Sequence, residues 1–228
     1  MRCFLFIVSI LLFFVSCNTK QDSAPGTPAV FADYRVTGEE GTENVTCLFR
    51  FFERNSDGDA MLLEPPARVS LDGKAITSSS APLSGTYYEV QQPLETFAGT
   101  HTIVFKNRDG REYKETFDFT PFALAADVGE TVSRTGIVLP IEGLADDSPL
   151  RVVLNDTSFT TPDINEIIRV QNGQIALSRS ELRTLTPGPV TLYLFWEEER
   201  RLKNAPVAGG KLYLTYSLSR DFDLVDEL

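Results

Sequence analysis

The sequence of 228 residues contains little cysteine and almost no histidine. It has three cysteines and a single histidine, His101. Zinc sites and the Ser-His-Asp or Cys-His groups of nucleophilic enzymes draw on these residue types, so such sites are hard to assemble from this chain. Paired carboxylates are the catalytic apparatus that remains, but the acidic residues are scattered along the sequence.

Basic residues are also few. There are 21 Lys and Arg residues against 32 Asp and Glu residues, a net charge of −11. An acidic chain without a cluster of basic residues repels polyphosphate, so we expect no nucleic-acid partner. The same charge disfavours electrostatic attraction to anionic lipids.

A short apolar run occupies the N-terminus, from Cys3 to Val15, and it follows the lone cation Arg2. About 13 apolar residues fall short of the ~20 that a membrane-spanning helix needs. A charged start, a short apolar stretch and a small residue at the end predict a signal peptide over residues 1–16.

The last residues of this run, Phe14-Val15-Ser16-Cys17, resemble the lipobox of bacterial lipoproteins, in which the signal is cleaved before the cysteine and the cysteine is acylated. The resemblance implies lipid attachment at Cys17 and a bacterial cell envelope. We expect the protein to be anchored in the outer membrane, on either its periplasmic or its surface face. Several acyl chains on one residue give lasting anchorage.

The mature chain begins with residues 17–27, whose proline, glycine and small polar residues predict a flexible linker. The whole mature chain, residues 17–228, has 20 basic and 32 acidic side chains and a net charge of −12. Cys47 is the one thiol left, so no disulfide framework exists. It alternates with Val45 and Phe49 on one predicted strand face, which indicates a buried cysteine.

From Val30 onward the apolar residues alternate with polar ones, which predicts one half-buried strand after another. Asp72-Gly73, Asp109-Gly110 and Asn172-Gly173 are typical of tight hairpin turns. Only residues 178–185 suggest a helical turn. No strand–helix–strand pattern occurs, so we predict antiparallel sheets. The longest alternations are Val30, Ala32, Tyr34 and Val36; Ile137, Leu139 and Ile141; Val190, Leu192, Leu194 and Trp196; Leu212, Leu214, Tyr216 and Leu218.

The pattern around Gly99 recurs around Gly188, an offset of about ninety residues. This is close to the ~100 residues of an immunoglobulin-type sandwich. We therefore predict an all-β chain with two consecutive antiparallel Ig-like β-sandwiches, over residues 28–122 and 123–220. The acidic tail, residues 221–228, is expected to fray.

Residues 98–105, with His101 on the strand and Asp109-Gly110 at the following turn, resemble the late strands of bacterial Ig-like domains. With the N-terminus, the chain is similar to Bacteroidota-type lipoproteins with tandem bacterial Ig-like domains. The resemblance implies a structural His101 and a role as spacer, adhesive module or subunit of a surface complex.

A polar segment has the spacing of an EF-hand calcium loop, with Gly58 at its sixth position. The alternative is an ordinary polar turn, since the flanking residues read as strands and turns favour these residue types. We expect no cofactor apart from a structural Ca²⁺ if this loop binds one. The oxygen donors are Glu53, Asn55, Asp57, Asp59 and Glu64.

Three aromatic residues, Tyr193, Phe195 and Tyr213, alternate with core residues on two strands expected to be hairpin neighbours. They form either an interaction surface or a patch covered by the first domain or by the loop of residues 203–210. We predict a non-enzymatic envelope module whose partners are envelope proteins or surface glycans, besides the membrane reached through its lipid. The alternative is a lipoprotein hydrolase that acts on polysaccharide or peptidoglycan through a carboxylate pair in a deep cleft.

Overall fold

The computed structural model describes residues 29–82, 85–158 and 162–227, and strands account for most of them. They also include one short helix, α1 (Arg179–Leu182), and one 3-10 turn (Leu94–Thr96). The predicted all-β class is confirmed. The strands are β1 (Val30–Glu39), β2 (Asn44–Glu53), β3 (Arg68–Leu71), β4 (Lys74–Ile76), β5 (Ser78–Ala81), β6 (Gly85–Pro93), β7 (Gly99–Lys106), β8 (Glu112–Phe119), β9 (Ala123–Leu124), β10 (Thr131–Ser133), β11 (Gly136–Glu142), β12 (Pro149–Asp156), β13 (Ile164–Arg169), β14 (Gln174–Ser178), β15 (Gly188–Arg201) and β16 (Gly210–Val225).

The first eight strands form a sandwich with immunoglobulin topology. Strands β1-β2-β6-β5 make one sheet and β4-β3-β7-β8 the other, which is the ABED and C′CFG order of the Ig fold. The inward residues follow the predicted alternation: Ala32, Tyr34 and Val36 are buried on β1, and Ile103 and Phe105 on β7. The residues alternate because one face of each sheet covers the core and the other meets water.

The remaining strands repeat this topology. β14 and β11 pair as strands E and B, while β13-β12-β15-β16 follow the C′CFG order. The A strand is divided between the sheets, because β9 pairs with β11 and β10 pairs with β16. The prediction of Ig-like sandwiches is confirmed.

The two sandwiches share a sheet, which the sequence did not predict. Strand β1 pairs in parallel with β16, from Ala32 opposite Gly210 to Glu39 opposite Ser217, so a nine-stranded sheet runs through both. β10 is also parallel to β16, so the prediction of antiparallel sheets is wrong at these two strand pairs. At 14 and 16 residues, β15 and β16 are long enough to pass beyond the second sandwich and line up beside the first. The buried apolar residues form one continuous cluster.

The acidic C-terminal segment is ordered through Val225, so the expected fraying of residues 221–228 is wrong over Asp221–Val225. These residues complete β16, and β10 pairs with Asp223–Val225. Phe222 and Leu224 are buried, whereas Asp221 and Asp223 are exposed. Alternation with apolar residues holds the acidic side chains in a strand because every second residue fills the core.

The buried side chain of Glu115 connects the hairpin of β15 and β16 to the first sandwich. Glu115 on β8 has only 1% of its surface exposed. One Arg200 Nη–H donates to Glu115 Oε1 and the other donates to the Thr116 carbonyl at 2.9 Å. The Lys203 N–H donates to Glu115 Oε2 at 2.8 Å. The end of β15 is thereby fixed on β8, and we call this contact the junction ion pair.

Two residues singled out in the sequence have structural roles in the first sandwich. His101 stacks on Phe97 with a 3.8 Å centroid distance, and its Nε2 lies 2.7 Å from the Phe97 carbonyl. Its Nδ1 lies 2.7 Å from a carboxylate oxygen of Asp72 in the β3–β4 turn. Cys47 is fully buried, and this burial raises the pKa of its thiol to about 12. A thiol that holds its proton in this way is a poor nucleophile.

The predicted tight turns are confirmed at Asp72-Gly73 and Asn172-Gly173, whereas at Asp109-Gly110 only Gly110 has a positive φ, 83°, and a five-residue loop joins β7 to β8. Asp72 and Gly73 have φ values of 48° and 80°, and Asn172 and Gly173 have 52° and 70°, as a two-residue type I′ hairpin requires. Helix α1 falls in the predicted segment. It begins with a capping box in which the Ser178 side chain accepts from the Glu181 N–H and the Glu181 carboxylate accepts from the Ser178 N–H.

Candidate functional site

The outer face of the nine-stranded sheet carries the three aromatic residues chosen from the sequence. Tyr193 and Phe195 lie on β15 and Tyr213 lies on β16, and all three are half-buried. Their strand neighbours Leu194 and Leu214 are buried on the opposite side. The strand period therefore places the rings away from the core. We call the surface formed by these three rings and the side chains between them the aromatic face.

A groove of about 310 Å³ crosses the aromatic face. Phe195 lies toward one end and Tyr213 toward the other, and Glu197 and Thr215 are direct cross-strand partners between them. Ile167 on the edge strand β13 also lines the groove, and 71% of its surface is exposed. Exposed apolar residues beside a groove are typical of contact surfaces.

Cations lie over two of the aromatic rings, Arg35 and Arg151 from neighbouring strands and Lys211 from the strand of Tyr213 itself. The Arg35 guanidinium is 4.8 Å and the Lys211 ammonium 5.8 Å from the centre of the Tyr213 ring. The Arg151 guanidinium is 5.8 Å from the centre of the Phe195 ring, which stacks against Tyr193 at 6.2 Å. The faces of the Tyr213 and Phe195 rings are therefore in contact with neighbouring cations.

Carboxylates hold the cations of this face in place. The almost fully buried Asp33 accepts from the Arg35 Nε at 2.9 Å and lies 3.6 Å from the Arg50 guanidinium. The hydrogen bond to Asp33 raises the pKa of Arg35, and the hydrogen bond to Glu199 raises the pKa of Lys211. Both cations therefore keep their charge beside Tyr213 across the physiological pH range.

The sequence left open whether the first domain or the loop of residues 203–210 covers these rings. In the described residues the loop packs elsewhere: the Ala208 N–H donates to the Val30 carbonyl, and Pro206 and Val207 lie beside Met61. The first sandwich lies alongside the aromatic face and contributes Arg35 to it. Sequence reasoning missed Arg35 and Arg151 because only the strand pairing places them next to Tyr213 and Phe195.

The structure describes the calcium-like loop but not the predicted site of lipid attachment. Cys17 lies outside the described residues. Asp57 N–H donates to the Asn55 side chain at 2.9 Å, and the Glu64 carboxylate binds the Arg108 guanidinium. Residues 53–59 therefore have the internal hydrogen bonding of an Asx turn. Across the described part of the chain, no three His, Cys, Asp or Glu residues are grouped as metal ligands, and no helix is long and apolar enough to span a membrane.

Two neighbouring acids bear on the hydrolase alternative. Partial burial and the nearby Glu181 raise the pKa of Glu166, while hydrogen bonds from Ser178 lower the pKa of Glu181. Glu166 is exposed on β13, and Glu181 is engaged in the capping box. This pair lies at the surface and not in the deep cleft that the hydrolase reading requires.

The sequence matches no family model and no curated protein. Among solved structures, the chain is similar to the tandem Ig repeats of Dlar at 10% identity and a TM-score of 0.25, with 83% of this chain and all of that one covered. It is similar to the SGBP-B protein of the Bacteroides ovatus mixed-linkage glucan utilization locus, solved with a heptasaccharide, at 12% identity and a TM-score of 0.23, with 82% and 60% covered. The Yersinia pseudotuberculosis adhesin InvE has 12% identity and a TM-score of 0.23, with 86% and 61% covered. These values are too low to indicate a shared function.

Proposed function

We propose that this chain is a lipid-anchored envelope protein of the bacterial outer membrane that binds another protein through its aromatic face and catalyses no reaction. The observation that carries the proposal is the groove between Phe195 and Tyr213, in which cations, carboxylates and aromatic rings surround a shallow floor. The rings are placed where the core does not use them.

The chemistry of the face favours a protein over a glycan. Tyrosine and arginine dominate the energetic centres of protein interfaces, and polar rims surround them. Here Arg35 and Lys211 lie over Tyr213 and Arg151 lies over Phe195, against which Tyr193 stacks. A sugar would stack on an open ring face, and in Tyr213 that face is occupied by Arg35. Side chains of a protein partner can instead pack between the ring edges.

A double substitution tests the binding surface. Tyr193→Ala with Tyr213→Ala should abolish capture of the partner from a detergent extract of the native envelope, with partners identified by cross-linking and mass spectrometry. Central interface aromatics contribute about 2 kcal/mol or more each, about 4 kcal/mol for the two, so binding should weaken about 1,000-fold. Val138→Ala is the matched control, because Val138 is 59% exposed but lies on β11, in the separate β14-β11-β9 sheet of the second sandwich.

The outcomes separate the two ligand classes. A folded double variant that captures the same proteins as the wild type would place the binding surface elsewhere. Capture that survives protease treatment of the extract and is lost on glycosidase treatment would identify a glycan ligand and refute the protein partner.

The anchor is tested separately. Cys17→Ala should move the protein from the membrane fraction to the soluble fraction. A variant still found in the membrane fraction would refute lipid attachment at Cys17. Neither result depends on the aromatic face.

A further inference from the structure

A second concave site lies where β1 begins, and it shares no lining residue with the groove of the aromatic face. It is a pocket of about 310 Å³ lined by apolar and charged residues of both sandwiches. Leu62 and Val207 also line it, and 53% and 52% of their surfaces are exposed. The other apolar lining residues that matter here are Val30, Met61, Leu63 and Pro206.

Hydrogen bonds from the main chain hold the walls of this pocket in place. The Met61 N–H donates to the Phe51 carbonyl at 2.7 Å, and the Leu63 N–H donates to the Tyr88 hydroxyl at 2.7 Å. On the opposite wall, the Ala208 N–H donates to the Val30 carbonyl at 3.2 Å. Leu62 and Val207 are therefore presented on fixed backbone and not on a free loop end.

The position of the pocket relative to the chain start points to its occupant. Val30 lines the pocket, and Cys17 precedes Val30 by 13 residues, which span at most about 45 Å. Strand β16 starts beside Ala32 and runs 16 residues away, about 50 Å. With Cys17 in a membrane, the pocket end therefore lies within about 45 Å of the bilayer, whereas the far end of β16 can lie much farther from it.

We infer that this end of the molecule rests on the lipid bilayer, with Leu62 and Val207 in contact with its hydrocarbon chains. The inference rests on the lipid anchor of the proposed function. Exposed apolar patches mark membrane contact sites, and a chain with net charge −12 gains nothing from anionic lipids. The Arg108–Glu64 ion pair at the same pocket supplies both charges that a zwitterionic headgroup can bind.

Tryptophan placed at the pocket tests the contact directly. The full mature chain is coupled through Cys17 to a maleimide lipid in phosphatidylcholine vesicles, so the test does not require natural acylation. Cys47 stays unreacted because it is buried. Leu62→Trp and Val207→Trp are compared with Val138→Trp, whose site is equally exposed on the second sandwich. Each is corrected for the native Trp196.

Brominated phosphatidylcholine, which quenches tryptophan only on contact, gives the readout. We expect most of the emission added at positions 62 and 207 to be lost on these vesicles, with a blue shift, and the emission at 138 to be unchanged. No quenching at 62 and 207 would overturn the inference, as would equal quenching at all three positions. Because the anchor is supplied chemically, such a failure is independent of whether Cys17 is acylated in the cell.

Discussion

The junction ion pair predicts a large loss of stability when one of its partners is removed. Arg200→Met keeps most of the side-chain length but leaves the Glu115 carboxylate without its cation. Glu115 is 1% exposed, and among the described residues only the Lys203 N–H would still donate to it. Breaking a buried ion pair on one side costs about 3–5 kcal/mol. The Arg200 side chain is 21% exposed, so we expect the lower end, about 3 kcal/mol.

The exposed pair Lys211–Glu199 on the same hairpin is the matched control, with side-chain exposures of 42% and 55%. Lys211→Met should cost less than about 1 kcal/mol, because exposed ion pairs contribute little. The free energy of unfolding is measured by urea titration. The fluorescence of Trp196, the single tryptophan, reports on β15.

A double substitution separates the pair from the packing around it. Glu115→Leu with Arg200→Met should recover most of the lost stability, since no buried charge is then left unpaired. The titration should also show one transition, because both sandwiches share a sheet and a core. If Arg200→Met costs no more than Lys211→Met, Glu115 is effectively solvated and the reasoning is refuted. Two separate transitions would show that the halves unfold independently.

Two further predictions concern Cys47 and the calcium-like loop. The pKa of the Cys47 thiol is 9.0 in the unfolded chain and is raised to about 12 in the fold, so the folded state binds more protons between these pH values. The free energy of unfolding should therefore fall as pH rises, by up to about 1.4 kcal/mol per pH unit for this group. In urea titrations at pH 9 and 10, Cys47→Ala should show a shallower fall. Because Glu64 binds Arg108 and Asn55 accepts from Asp57, EDTA should leave the melting temperature unchanged, whereas a rise with added Ca²⁺ in differential scanning calorimetry would identify a calcium site.

Local patterns were sufficient to predict much of the fold. The burial of residues such as Leu192 and Leu194 follows directly from the strand period. The turn at Asn172-Gly173 follows from residue types that tolerate positive φ angles. These features depend on residues close together in the sequence. The outward position of Tyr193 and Phe195 follows from the same period.

Pairings between distant segments could not be predicted in this way. The parallel contact of β1 with β16 joins residues about 180 positions apart, and any alternating strand could have taken that edge. The contact between Arg35 and Tyr213 therefore cannot be predicted from the residues around either one, because it depends on the pairing of β1 with β16. The ordered C-terminus is different, because Phe222 and Leu224 alternate with acids and carry a readable strand pattern. There the alternation of apolar residues, and not the acidic composition, determines the conformation.

The parallel edge of β1 also determines how the protein responds to mechanical force. A pull on the N-terminal side of Val30 acts along β1, which is bonded on one side to β2 and on the other to β16. The load is therefore applied in shear, and the hydrogen bonds of both edges must yield together and cannot open one at a time. Since β16 also carries Tyr213, tension between an anchored N-terminus and a bound partner would pass through the shared sheet without crossing a hinge.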